Sequence, residues 1–192
     1  MLEEAVEVMR ALWRGGFVNH HGRHYTVEQA RIYTLPAQPP PVYVSAFGPK
    51  SVSLAGRIGD GYISTFPDAD LVRAFRDGGG GDKPVQGGFK GCYAGDEAEA
   101  VRMAHELWPN SGVPGELSQE LPSPRHFEQA SQLVTPDAVG ESIVCGPDAD
   151  RHVTKIEEYA KAGFDEVYVN NIGPNQEAFF RMYADTVLPR VR

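Results

Sequence analysis

Residues Val42 to Thr65 read VYVSAFGPKSVSLAGRIGDGYIST, and their order of residue types describes one strand, one helix and a second strand. The short apolar run Val42 to Ala46 suits a buried strand. Gly48-Pro49 then closes it, and Pro49 is a favourable first-turn residue because its missing N–H has no partner to lose there. Small and apolar residues continue at helical spacing through Arg57, Asp60-Gly61 marks a turn, and Tyr62 to Thr65 is the next strand. Two such strands joined by a helix are parallel, because parallel pairing needs a crossover and the crossover occupies a sheet face. The Asp60-Gly61 pair looks catalytic but more often supports a turn.

The same alternation extends outward. Upstream, Leu2, Val6, Met9 and Trp13 lie about one turn apart and predict an amphipathic helix that ends at Gly15-Gly16. FVNHHGRHYTV follows as a strand pair around His21-Gly22, and LPAQPPP delivers an extended chain to Val42. Downstream, a helix is expected near Ala69 to Arg76, then the run DGGGGDKP, a weak strand near Phe89 to Tyr93, and a helix from Glu97 to Trp108 capped by Asp96. The glycine run has no Lys-Ser/Thr after it and reads as a flexible connection rather than a phosphate loop. Residues 109–124 are rich in Pro, Gly and Ser. Further helices are expected near Pro124 to Leu133, from Pro136 to about Val144 behind Thr135, and from Ala149 to Ala162 with Gly163 as its stop. A strand from Glu166 to Asn170 and a helix from Gln176 to Val187 complete the chain.

This is an α/β pattern with about four parallel strands. A closed eight-stranded β/α barrel needs about 250 residues, against 192 here, so half of a barrel is the expected architecture. We expect one domain, 1–192, with a hairpin insertion at 14–35 and a loop and helical excursion at 109–145. Half a barrel leaves two open sheet edges, a liability unless a partner covers them, so a homo-oligomer is expected.

Acidic side chains number 26 against 18 basic ones, a net charge of −8. No basic block offsets it, which argues against nucleic acid or an anionic membrane as a partner. No apolar run approaches the roughly 20 residues of a membrane span, and the opening Leu2-Glu3-Glu4 is no secretion signal. The chain reads as soluble and cytoplasmic. Cys92 and Cys145 stand in separate apolar stretches and read as buried thiols.

Other chemistry-bearing residues have bland readings. His20, His21 and His24 invite a metal, but adjacent residues of a hairpin point to opposite faces and only Glu28 lies near, so no metal is expected. His105, His126 and His152 fall on expected helices and read as surface or packing residues. Asn170 and Asn171 end a strand at the face where barrels build sites, and either line a pocket or satisfy loop backbone. Trp13 and Trp108 read as packing residues. No nucleophile elbow appears.

Three stretches together, LEEAVEVMRALWRGG, PPPVYVSAFGPKSVSLAGRIGDGYIST and AKAGFDEVYVNNIGP, closely resemble the luciferase-like superfamily of flavin and deazaflavin monooxygenases and oxidoreductases. Within it the chain is similar to the branch related to glucose-6-phosphate dehydrogenases that use coenzyme F-420. The resemblance implies a β/α barrel, of which this chain matches the C-terminal part. It places the family's acid and base residues upstream of Met1, so no catalytic residue is assigned in this chain. It also implies hydride transfer between a small organic molecule and the deazaflavin, with flavin mononucleotide as the alternative cofactor.

By the same resemblance, Ser45, Ala46, Phe47 and Gly48 match the backbone that packs against the cofactor's phosphate and ribityl region. Phe47 replaces a residue that is often small. Thr65 keeps a threonine of the substrate site, whereas the relatives' phosphate-binding cations fall on Asp68, Glu141 and Ser118. Two acids there make glucose 6-phosphate a poor substrate. The alternative from another class is a non-catalytic barrel fragment or assembly module, and the third is a flavin-dependent monooxygenase of the same fold.

Overall fold

The computed structural model describes residues 1–115 and 117–191, apart from the side chains of Ser118 and Gln119. The chain divides into two compact units.

The first unit comprises residues 1–64, 68–86 and 163–165. Helix α1 (Leu2–Trp13) buries Val6. Its Glu4 carboxylate accepts hydrogen bonds from the backbone N–H groups of His24 and Tyr25 and contacts His20 Nε2 at 3.1 Å, fastening the hairpin of β1 (Val18–His21) and β2 (Thr26–Ala30). Burial pushes the Glu4 carboxyl up, but the bonds from His20, Tyr25 and His24 outweigh it and hold the group at about 2. In β1, His20 faces inward and His21 outward, the alternation expected of a strand.

Strands β3 (Tyr43–Ser45) and β4 (Gly61–Ser64) pair in parallel, Val44 opposite Tyr62. Helix α2 (Pro49–Ile58) is the crossover between them, as the sequence pattern requires. Val44, Val52, Ala55, Tyr62, Val72, Phe75 and Val85 form the core, with the Tyr62 ring stacked on Phe75 at 5.4 Å. Asp60 supports the turn between α2 and β4: its carboxylate accepts from the Val42 N–H and from Arg10, both at 2.8 Å.

Helix α3 (Ala69–Phe75) runs on into a kinked turn, Arg76–Gly80, in which Gly79 has a φ of +112°, so the glycine run is not the loose connection its composition suggests. Its backbone lies directly on α2. A Cβ on Gly56 would sit 2.6 Å from the Phe75 carbonyl oxygen, and one on Gly78 would sit 2.7 Å from Ser53 Cα. Glycine is there for close approach at Gly78, and for a left-handed backbone at Gly79 and Gly81.

The second unit comprises residues 65–67, 87–162 and 166–192. Strand β5 (Val85–Cys92) enters it from the first and starts earlier than the weak Phe89 signal. Gly87, Gly88 and Gly91 dilute its periodicity, and partners on both sides supply what propensity lacks. Helix α4 (Glu97–Leu107) is capped by Asp96, which accepts from the Glu99 N–H at 2.8 Å. A 3-10 turn (Pro109–Gly112), α5 (Leu117–Glu120), α6 (Pro124–Ser131) and α7 (Pro136–Ser142) follow. Strand β6 (Val144–Cys145), too short to leave a pattern, pairs in parallel with β5, Cys145 opposite Cys92. Both thiols are buried and free.

Helix α8 (Ala149–Ala162) stops at Gly163, whose φ of +92° is the left-handed conformation that glycine adopts without strain. Strand β7 (Glu166–Asn171) pairs with β5, and α9 (Gln176–Met182) continues into a π-helical turn, Tyr183–Val187. One core gathers Cys92, Ala94, Ala100, Ala104, Val139, Ile143 and Cys145, and another gathers Val153, Phe179, Tyr183 and Val187. Among the described residues no helix is long and apolar enough to cross a membrane.

Candidate cofactor and substrate site

The corner from Ser45 to Gly48 lies between β3 and α2 in the first unit. Ala46 is buried and its carbonyl accepts a 2.9 Å hydrogen bond from the Tyr62 hydroxyl, which pins the backbone. Burial pushes the Tyr62 phenol up, so it stays a donor. Ser45 is exposed, and Phe47 projects with 48% of its surface exposed.

Gly48 is the N-cap of α2 and offers no side chain to it, while Pro49 occupies the first helical position. The first-turn amides of Lys50 and Ser51 lie too early to reach a carbonyl within the helix. Gly48 has extended backbone, φ −132° and ψ 152°, which any residue adopts. A Cβ there would meet only Ser51 Oγ at 3.7 Å. Among the described residues, nothing demands glycine at this position. What remains is bare backbone beside the positive end of a ten-residue helix, an arrangement that fits an anionic tail such as a cofactor's phosphate.

The matched substrate positions are placed as follows. Asp68 is the N-cap of α3, its Oδ1 accepting from the N–H groups of Asp70 and Leu71 at 2.8 and 3.1 Å. Thr65, exposed after β4, belongs to the second unit. The buried Tyr159 hydroxyl lies 2.8 Å from both the Thr65 and the Gly88 carbonyl oxygens and ties that segment to β5. Burial pushes this phenol up to about 12. Glu141 is exposed on α7. Ser118 lies in α5, and its side chain is outside the described residues.

Tyr62 and Tyr159 were not singled out in the sequence. Their only signal was a tyrosine inside an apolar pattern, where a phenol needs a buried acceptor.

Of the paired asparagines, Asn171 is buried and serves loop backbone: its Oδ1 accepts from the Tyr93 N–H at 3.0 Å and its Nδ2 donates to the Gly173 carbonyl. Asn170 is exposed on β7. His152 is wholly buried between the Tyr183 hydroxyl, 2.9 Å away, and the Gly146 carbonyl, 3.2 Å away. Burial lowers its pKa against the opposing pull of the Gly146 bond, so it is a neutral packing residue. Among the described residues, no group of three His, Cys, Asp or Glu side chains could hold a metal ion.

Residues 1–166 match the luciferase-like monooxygenase family. A relative from Microbacterium testaceum, named F420-dependent glucose-6-phosphate dehydrogenase, is 30% identical over 205 residues, covering 100% of this chain and 60% of its own length. One of the same name from Mycobacterium tuberculosis is 28% identical over 203 residues, again with 60% of its length covered. The chain thus spans about 60% of the curated relatives it matches. The structure of an F420-dependent secondary alcohol dehydrogenase in complex with an F420-acetone adduct superimposes with a TM-score of 0.81 at 27% identity, covering 100% of this chain and 61% of that one. A coenzyme F420-dependent tetrahydromethanopterin reductase from Methanopyrus kandleri, at 24% identity and a TM-score of 0.72, shares the fold. The strands and helices described above are therefore part of a luciferase-like β/α barrel fold, and the chain belongs to the luciferase-like monooxygenase family.

Proposed function

We propose that the chain supplies the cofactor-tail and part of the substrate surface of a coenzyme F-420-dependent oxidoreductase acting on a small organic molecule. The observation that carries this reading is the Gly48 corner: an uncapped helix start with space where a side chain would stand. Ser45, Ala46, Phe47 and Gly48 would hold the anionic and ribityl part of the cofactor, with Tyr62 keeping the backbone in place through Ala46. When bound, the deazaflavin supplies the hydride acceptor or donor. The chain's own contribution is positioning: the Lys50 and Ser51 amides meet negative charge, and Phe47 narrows the groove beside it.

On the substrate side Thr65, Asp68, Ser118 and Glu141 occupy the positions matched above. Acids at two of those positions stand where the resemblance expects cations, a change that disfavours a phosphate dianion. Glucose 6-phosphate is therefore expected to be a poor substrate, although relatives carry that name.

The test is equilibrium binding of coenzyme F-420 and flavin mononucleotide to the purified chain, with its mass in solution recorded on the same sample. F-420 should bind, and Gly48→Val should weaken it about tenfold or more by closing the approach. Stronger binding of flavin mononucleotide would favour the monooxygenase reading. A folded chain that binds neither would make it a barrel fragment without a site of its own.

A further inference from the structure

In the second unit, the middle of β5 presents side chains to two faces. The Phe89 ring stacks on Tyr159 of α8 at 6.0 Å, and a Cβ on Gly91 would lie 3.5 Å from His152 and 3.7 Å from Phe179. Odd-numbered positions thus face α8 and α9. Lys90 lies on the opposite face. On β7, Val169 packs into the core of Val153 and Phe179, while Tyr168 and Asn170 are exposed on the other side. A Cβ on Gly88 would stand 3.3 Å from the Tyr168 carbonyl oxygen, so this face is continuous across the two strands, and at Cys92 it packs into the core of Ala94, Ala100 and Ile143.

Lys90 is half-buried there, its Nζ 5.3 Å from the centroid of the Trp108 ring. The other lysines are differently placed. Lys83 donates to the Gly56 carbonyl, Lys155 pairs with Glu158, Lys161 pairs with Glu157, and Lys50 is exposed. Among the described residues, no carboxylate lies within 4.0 Å of Lys90 Nζ. An ammonium partly removed from water, with an indole face and no anion beside it, is an incomplete pair. Trp108 is 37% exposed, so part of the residue is accessible to a ligand.

We propose that Lys90 and Trp108 anchor the carboxylate of a small organic acid, the ammonium pairing with the carboxylate and the indole covering the adjoining apolar part. The site lies wholly within the second unit and stands independently of the cofactor corner. A monocarboxylate needs one cation, whereas a phosphate dianion favours several or a bidentate arginine. Glu166 shares this face and accepts from the Tyr168 hydroxyl at 2.9 Å, which disfavours a second negative charge on the ligand.

Trp108 makes the test direct, since Trp13→Phe leaves it as the single indole reporter. Benzoate, its neutral isostere benzamide and inorganic phosphate are titrated into that protein while its fluorescence is followed. Saturable quenching by benzoate is expected, with benzamide and phosphate each weaker by about tenfold or more. Lys90→Met should remove the preference for benzoate over benzamide, and Lys90→Arg should retain it. Equal affinity for benzoate and benzamide, tighter binding of phosphate, or an unchanged preference in Lys90→Met would each overturn the proposal. If Lys90→Met does not fold, the benzoate preference of the parent chain and of Lys90→Arg decides. Coenzyme F-420 is titrated into the same sample: benzoate binding without cofactor binding sinks the oxidoreductase reading and leaves the anion site standing. Cofactor binding without benzoate binding sinks the anion site alone.

Discussion

Two helix starts in the first unit solve the same local problem in opposite ways. After β4, Asp68 turns its carboxylate onto the Asp70 and Leu71 amides and completes the start of α3. After β3, Gly48 leaves the start of α2 without a side-chain partner, although serine, threonine, asparagine or aspartate at its ordinary backbone angles would have supplied one. A helix start whose own cap takes its first amides offers fewer donors to a ligand. One left open keeps them. The contrast separates a corner built for stability from one suited to binding, and it shows why an aspartate at the matched substrate position also has structural work.

The contrast can be broken or sharpened experimentally. The largest effect is expected from Tyr62→Ala, which removes a fully buried ring and the hydroxyl that pins Ala46. A loss of about 3–5 kcal/mol in urea unfolding is expected, and a loss below about 1 kcal/mol would mean that the corner is not held from this side. Next in size, Gly48→Asp converts the first corner into a copy of the second. Stability should stay the same or rise by a few tenths of a kcal/mol, while F-420 affinity falls about tenfold, or about 1.4 kcal/mol. Unchanged affinity would show that the open amides are not used.

Asp68→Ala should cost about 1 kcal/mol, read as a shift of the urea midpoint, with F-420 binding retained. Loss of cofactor binding at unchanged stability would reverse the assignment of the two corners. The smallest effect is a change of slope. Glu4 has its folded-state pKa depressed from 4.5 to about 2, so its contribution is full above about pH 4.5 and fades as the pH falls toward 2. Glu4→Gln should flatten the acid limb of stability across that window. A limb that stays as steep would assign acid sensitivity to Asp60, also depressed by the Val42 N–H and Arg10.

The strand–helix–strand unit at Val42 to Thr65 was legible because its period, its Gly-Pro corner and its Asp-Gly turn agree with one another. Helix α8 was found at its observed bounds, since Gly163 marks the end unambiguously. Strand β6 was not legible: two residues carry no period, and only its pairing with β5 makes it a strand. The glycine run was misread because close packing leaves the same composition as flexibility. At the candidate site, the Gly48 corner could be recognised by resemblance, but its open amides could not, since only backbone angles and neighbouring atoms show that no cap is present. The cap formed by Asp68 was equally hidden behind its charge.

The in-register thiols of β5 and β6 have a use unrelated to binding. Cys92 and Cys145 are the chain's two cysteines, and each is at most 1% exposed. A thiol reagent can reach them only when the packing over that strand pair comes apart. Where closing outpaces reaction, the labelling rate reports the opening equilibrium itself. The second unit therefore carries its own clock, readable in native buffer without denaturant.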